Sequence, residues 1–325
     1  MSSLPPQQPP CTEWHGLPQA LHVDAICSVT SFSPASISIP ESMILHPAGG
    51  SHKNKHPIIV SLIRHAPTGS FALFDLGLSR NWAQYAPKAR LDDISSTYEP
   101  IVELEIDEVL NKIEVAPESI KFIIISHSHW DHCAHDFSRF PRAQVVVGPT
   151  ALSNIAALSP EHYPSPDPRP LELSWAHSPT GVLTFRHSYD LFKDGSLLVV
   201  PTPGHTESHI AAVVRTSSDP GHEEFVVLAG DCAHHPLCLS VQPSDSHYRF
   251  STWREPGEPT DGVAKHSMHE DYEEAERSLE RLKALERRDE FMVVLAHDFQ
   301  RWDSWAKTEH GTVELTGWRG KGLKR

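Results

Sequence analysis

The run His127-Ser128-His129-Trp130-Asp131-His132 places four side chains of metal-ligand type within six residues. Imidazole and carboxylate together suit zinc, with iron, manganese or cobalt as second choices. The run follows Lys121-Phe122-Ile123-Ile124-Ile125-Ser126, which reads as a buried strand. In extended chain, residues i and i+2 point the same way, so His127 and His129 can face one ion together. Asp131 and His132 come after the chain has begun to turn and can face a neighbouring one. Packing does not explain such a density of ligand types directly after a strand.

Three further segments share that form, an apolar strand that ends at a ligand type. Val199-Val200 leads through Pro203-Gly204 to His205, Leu228-Ala229-Gly230 leads to Asp231, and Val293-Val294-Leu295-Ala296 leads to His297. Strand ends on one edge of a sandwich converge in space, and the loops there carry function. Any one of the 23 histidines is more often a surface or hydrogen-bonded residue than a ligand. His52, His56, His162, His222 and His266 are read as surface residues, whereas the ordered set of seven is read as one metal site. Closed structural zinc sites favour cysteine-rich tetrahedra, so a purely structural site is the lesser reading.

The elements that must position these residues alternate along the chain. Residues 1–20 hold five prolines and read as a flexible tail, followed by a single domain over 21–325. Strands are expected over Ala25–Ser31, Ser42–His46, Ile58–Arg64 and Phe71–Leu76, with turns at Gly49-Gly50-Ser51 and Pro67-Thr68-Gly69. Helices are expected over Asn81–Ala89, Asp107–Ile113 and Thr150–Leu158, and strands over Ile120–Ile125, Gln144–Val147, Leu197–Val200, Ile210–Arg215, Phe225–Leu228 and Phe291–Leu295. The clearest helix spans His269–Arg288, where Tyr272, Ala275, Leu279, Leu282 and Leu285 make one apolar face. Strands, then helix–strand units, then strands again suggest two packed sheets with helices outside.

Bulk properties exclude several classes. A formal net charge of -14 repels phosphate backbones and argues against nucleic acid as partner. No apolar stretch approaches the roughly 18 residues of a membrane span. The N-terminus has neither the basic start nor the apolar core of a signal peptide, so a cytoplasmic location is expected. The five cysteines form no C-x-x-C pair and no disulfide framework; Cys133 and Cys232, each next to a candidate ligand, read as buried packing residues. No oligomeric state follows from the sequence.

The chain resembles the metallo-β-lactamase superfamily, and within it the lactonase-like branch. The resemblance rests on His127–His132, on Tyr189–Gly195 running into Pro203-Gly204-His205-Thr206, on Gly230-Asp231, on Ala296-His297, and on the early turn Phe74-Asp75-Leu76-Gly77. It implies an αβ/βα sandwich of two mixed β-sheets flanked by helices, holding two zinc ions. His127, His129 and His205 would bind the first, Asp131, His132 and His297 the second, and Asp231 would bridge both. His209 and Asp75 would support the site by hydrogen bonds.

Two zinc ions sharing a water lower its pKa to about 7, so that hydroxide can attack a carbonyl at neutral pH. Asp131 or Asp231 would relay the proton, and no G-x-S-x-G nucleophile motif is present. The branch often carries a tyrosine three residues after the bridging aspartate; this chain has His234 there, able to donate a hydrogen bond or proton. Cys133-Ala134-His135 also replaces the branch's usual glycine pair. Trp130, Tyr248, Phe250 and Trp253 are expected either to line a pocket for a flat ring or to pack a surface loop. The resemblance implies hydrolytic opening of a small cyclic ester, lactam or cyclic carbamate, including signalling or defence compounds. A thioesterase or glyoxalase-II-like hydrolase on the same metals, and a non-catalytic metal-dependent binding protein, are the alternative readings. Only 28 residues follow His297, which leaves little room for a helical glutathione-binding part.

Overall fold

The computed structural model describes residues 13–48, 52–163, 167–177, 181–254 and 266–324. The expected turn at Gly49-Gly50-Ser51 lies outside them.

Two mixed sheets face each other. In the first, the strands run in the order Val313–Glu314, Cys27–Pro40, Lys53–His65, Phe71–Phe74, Ile120–Ile125, Gln144–Val147 and Leu171–Glu172, with Ile101–Val102 also pairing on Cys27–Pro40. The pairs from Val313–Glu314 to Phe71–Phe74 are antiparallel, and those from there to Leu171–Glu172 are parallel. The second sheet runs Phe291–Val294, Glu224–Leu228, Ile210–Ser217, Leu197–Pro201 and Tyr189–Asp190, parallel only in its first pair.

Alternation distributes the side chains. Leu197 and Val199 point between the sheets with Ile63, Phe74 and Ile124. Leu198 and Val200 point the other way, onto Ala275, Leu279, Leu282 and Leu285 of the helix Tyr272–Glu286. On the far side, Ile123 and Ile125 pack on Ile106, Val109 and Leu110 of the helix Ile106–Lys112. The central strands are thus buried on both faces, which is why they read as unbroken apolar runs. The result is the expected helix–sheet–sheet–helix sandwich.

Several local expectations change. Ser42–His46 is not a strand: Pro40 lacks the N–H to continue a ladder, and Glu41–Ile44 makes one helical turn. Only His46 keeps an isolated bridge, to Arg249. Asn81–Ala89 breaks into two 3₁₀ turns, Trp82–Gln84 and Lys88–Arg90, because Pro87 interrupts it. Thr150–Leu158 likewise divides, with Ile155 extended between Leu152–Asn154 and Ala156–Leu158. The long helix starts at Tyr272 rather than His269, since the Asp271 carboxylate accepts from the Glu274 N–H and caps it there.

The part of the expected tail that is described is docked. His15 N–H donates to the Leu183 carbonyl, Leu183 N–H donates to the Gly16 carbonyl, and the Arg215 guanidinium donates to the Pro18 carbonyl. Trp14 packs edge-on to Phe291 beneath the Arg288 guanidinium. Residues 1–12 lie outside the described chain.

Candidate metal centre

The seven residues meet at one edge of the sandwich. His127 follows the strand Ile120–Ile125, and His129 is the N-cap of a single helical turn, Trp130–Cys133, that carries Asp131 and His132 inward. Leu228 and Val294 pair in parallel register, so Asp231 and His297, each three residues further on, leave the second sheet side by side. His205 arrives on the loop after Leu197–Pro201. That loop needs Gly204: at its φ of +126° a Cβ would lie 2.1 Å from the Ala275 backbone nitrogen, on which the loop rests. Gly230 at φ +50° is equally constrained, because a Cβ would come within 2.8 Å of His209 Nε2.

His205 Nε2 lies 3.1 Å from His127 Nε2 and 2.8 Å from His129 Nδ1. Asp231 Oδ2 lies 3.6 Å from His205 Nε2 and 3.3 Å from His132 Nε2. His297 Nε2 lies 3.3 Å from Asp131 Oδ2 and 3.4 Å from Asp231 Oδ1. Two quartets result, His127/His129/His205/Asp231 and Asp131/His132/Asp231/His297, with ligand atoms within 4.8 Å of one another and Asp231 common to both.

Outer hydrogen bonds settle where the ring protons sit. Ser126 Oγ donates to Asp75 Oδ2 (2.8 Å) and therefore accepts from His127 Nδ1–H (3.0 Å). His132 Nδ1–H donates to the same carboxylate oxygen at 2.9 Å, and His297 Nδ1–H donates to the Pro57 carbonyl at 2.9 Å. Each bond leaves an Nε2 lone pair pointing inward. Nε2 of His132, Nε2 of His297 and Oδ1 of Asp231 are buried with no hydrogen-bond partner among the described residues. Buried acceptors that face one another are costly, and a cation between them removes the cost. The donor set fits a pair of divalent ions.

The electrostatics agree. Burial holds the imidazoles of His127 and His205 well below their ordinary range, in the neutral form that ligates a metal. At His132 burial works in the same direction but is outweighed by Asp231, Asp131 and Asp75, which together hold it well above that range. At His297 burial again opposes, yet Asp231 and Asp131 raise it to about 10. The centre therefore stabilises positive charge even where burial resists it.

The surrounding residues divide into those the sequence singled out and those it did not. Asp75 takes the hydrogen bonds just described. His209 Nε2 accepts from the Asp231 N–H at 3.1 Å while its Nδ1 lies 2.8 Å from Thr202 Oγ1. His234 Nε2 lies 3.1 Å from Asp231 Oδ2, and its ring is 4.7 Å from that of His205. His269 was missed; its ring is 5.3 Å from His205 and 5.6 Å from His234. It stood at the start of an amphipathic helical pattern, which masked any other role.

His56 is not a surface residue. It is fully buried behind His297, covered by Phe299. Of the expected pocket aromatics, Trp130 stands beside the centre between Trp82 and Tyr98, with ring separations of 5.4 and 6.1 Å. Phe250 is 3% exposed and lies 4.0 Å behind His269, so it backs the site instead of lining it. Tyr248 packs on the cluster under the long helix. Trp253 belongs to a small two-stranded pair with His266–Ser267. Trp82 and Tyr98, which do flank Trp130, carried no periodic signal.

Residues 57–297 match the family profile of the metallo-beta-lactamase superfamily, and the chain belongs to that superfamily. Its likenesses lie in the lactonase-like branch. It is 27% identical over 299 residues to the metallo-hydrolase mfmC of Annulohypoxylon moriforme, covering 82% of this chain and 76% of that one. It is 27% identical over 244 residues to the gamma-lactamase MBL2 of Gibberella moniliformis, covering 65% and 99%. The crystal structure of an N-acyl homoserine lactone hydrolase, with its product N-hexanoyl-L-homoserine at the catalytic metal centre, superposes with a TM-score of 0.59. That likeness covers 87% of this chain and 97% of the other at 13% identity, and it concerns the fold. No helix among the described residues is long and apolar enough to cross a membrane.

Proposed function

We propose that the protein is a dinuclear zinc hydrolase that opens a small cyclic ester, lactam or cyclic carbamate. The observation that carries this reading is the convergence of inward imidazole lone pairs on two quartets that share Asp231. The mixed imidazole and carboxylate donors favour zinc over softer or harder ions. His127, His129 and His205 would hold one ion, Asp131, His132 and His297 the other, and Asp231 belongs to both quartets. When bound, such a pair supplies a water of lowered pKa and a Lewis acid for the scissile carbonyl.

The chain's own groups do the rest. Asp231 and His234, 3.1 Å apart, form a carboxylate–imidazole couple beside the reacting atoms. The carboxylate of Asp131 or of Asp231 takes the proton of the attacking water, and His234 hydrogen-bonds the oxygen or nitrogen released when the ring opens. A thiol nucleophile is not at hand: burial pushes the Cys232 thiol up to about 12, and the Cys133 sulfur donates to the His129 carbonyl at 3.1 Å. The wall of Trp82, Trp130 and Tyr98 favours a flat, apolar ring. The gamma-lactamase and N-acyl homoserine lactonase relatives support ring-opening over thioester cleavage.

The test is a panel of lactones, lactams, aromatic cyclic carbamates and thioesters assayed on metal-loaded protein, with and without chelator. Chelator-sensitive turnover of a cyclic substrate is the expected result. Turnover confined to thioesters, or turnover indifferent to chelator, would defeat the reading.

A further inference from the structure

The dipeptide His56-Pro57 grips His297 at two points. The Pro57 carbonyl accepts from His297 Nδ1–H at 2.9 Å, which orients the imidazole. In the other direction, His56 Nδ1 lies 3.2 Å from the His297 carbonyl oxygen. A carbonyl cannot donate, so the proton sits on His56 Nδ1 and the bond runs from the ring to the backbone. We propose that His56 is a positioning residue that sets His297 for the cation shared with Asp131 and His132. The proposal rests on the metal-centre reading above.

Three observations bear on it. First, His56 is fully buried, and its Nε2 has no hydrogen-bond partner among the described residues. A phenylalanine would occupy that place against Phe299, 4.9 Å away, without burying an unsatisfied nitrogen. The bond to the His297 carbonyl is what the imidazole adds. Second, Nδ1 is the one ring nitrogen of His56 with a hydrogen-bond partner among the described residues, and that partner is the His297 carbonyl. Third, the grip adds side-chain bonds to a segment that main chain already ties down: Ala296 N–H donates to the Gly230 carbonyl at 3.0 Å, Ile59 N–H donates to the Ala296 carbonyl at 2.9 Å, and Phe299 N–H shares the His297 carbonyl at 2.8 Å. His297 lies three residues past the strand Phe291–Val294 and two before the helix Phe299–Ser304. His297 has no ladder partner among the described residues, unlike Val294 on Leu228. Its ring and its carbonyl are instead tied to the neighbouring strand, Lys53–His65, at adjacent residues.

The structure makes the effect selective. His127, His129 and His205 are held by Ser126, by the Trp130–Cys133 turn and by the Gly204 loop, whereas the hydrogen bond of His56 goes to His297. Loss of the His56 bond should loosen one of the two cations and spare the other.

The experiment measures stepwise zinc affinity by competition with a chromogenic chelator, and the visible absorption of the cobalt-substituted protein, for wild type, His56→Phe and His56→Asn. Asn places its side-chain N–H near the position of His Nδ1, whereas Phe keeps the ring's bulk and removes the donor. Outer-shell partners of metal ligands typically contribute 10- to 100-fold in affinity. The expected result is a loss of about 10-fold or more in the weaker step for His56→Phe. The stronger step stays unchanged, the cobalt bands of one site shift, and His56→Asn recovers most of the affinity. Equal weakening of both steps, unchanged affinity in His56→Phe, or an Asn variant no better than Phe would overturn the proposal. Wild-type protein that takes up no zinc would overturn the metal-centre reading instead.

Discussion

The strand Lys53–His65 carries a buried histidine near each end, and the two ends of the sandwich use their histidines in opposite ways. At the far end His65 is satisfied on both nitrogens: Nδ1 pairs with Thr68 Oγ1 at 2.8 Å and Nε2 with Asp194 Oδ2 at 2.8 Å. The other oxygen of Asp194 accepts from the Ser196 N–H and hydroxyl, and the ring stacks on Phe192 at 4.0 Å. Nine strand residues away, about 30 Å at the usual rise, His56 backs a centre where nitrogens face nitrogens and buried acceptors lack partners among the described residues. Both ends bury imidazole beside carboxylate. Unspent hydrogen-bonding capacity, and not the density of histidine, separates a place for a cation from a structural network.

The largest test of that contrast is at the shared carboxylate. Asp231→Asn or His129→Ala should lower hydrolysis on the order of 1,000-fold or more, beyond the 10- to 100-fold of an outer-shell partner. Far-ultraviolet circular dichroism should stay that of the wild type. Asp194→Asn at the other end should leave turnover within about 3-fold, because nothing in the His65 network reaches the reacting atoms. Near-normal activity in either centre variant on a confirmed substrate would remove the dinuclear mechanism. Next in size is metal removal. A ligand that binds only the folded state adds about 2.7 kcal/mol at 100 times its dissociation constant. Chelated protein should therefore melt several degrees lower in calorimetry and recover on addition of zinc; a melt indifferent to both would mean that the centre holds no ion.

Asp194→Asn should show instead in stability, with a loss of about 1–3 kcal/mol for a broken buried hydrogen-bond network. Burial raises the Asp194 carboxyl, but the bonds from Ser196 and His65 outweigh it and hold the group below its ordinary 3.8. A carboxyl depressed in the folded state stabilises above the unfolded value and loses that contribution as pH falls. The gap between wild type and Asp194→Asn, read from urea midpoints, should be full near pH 6 and narrow below pH 3.8. A gap that widened in acid would contradict the assignment of the charged form.

What could be read from the sequence follows from what each residue answers to. Ile120–Ile125 and Gln144–Val147 were legible to the residue because strands buried on both faces are unbroken apolar runs. The seven residues of the centre were legible because each stands just past such a run. His56 was not, since it closes the polar run Lys53-Asn54-Lys55-His56, which looks like the open end of a strand. Only the later helix Phe299–Ser304, folding back with Phe299, covers it. Trp82 and Tyr98 were hidden for a related reason: they sit in irregular turns, where no period marks a buried face, and only Trp130 lay inside a motif.

The smallest effect concerns the helix on which the centre leans. Asp271 caps Tyr272–Glu286 through its side chain, accepting from the Glu274 N–H at 2.9 Å. Its backbone N–H donates to the Gly204 carbonyl at 2.9 Å, and the neighbouring Glu270 N–H donates to the His205 carbonyl at 3.2 Å. Asp271→Ala removes the cap, which typically contributes about 1 kcal/mol, but keeps both backbone donors. Urea unfolding should register that loss while zinc affinity stays within about 3-fold of wild type, since the His205 loop is held by main chain. If zinc affinity fell about 10-fold with no larger loss of stability, the cap itself would belong to the centre, and the line between its ligands and the scaffold would lie one helix further out.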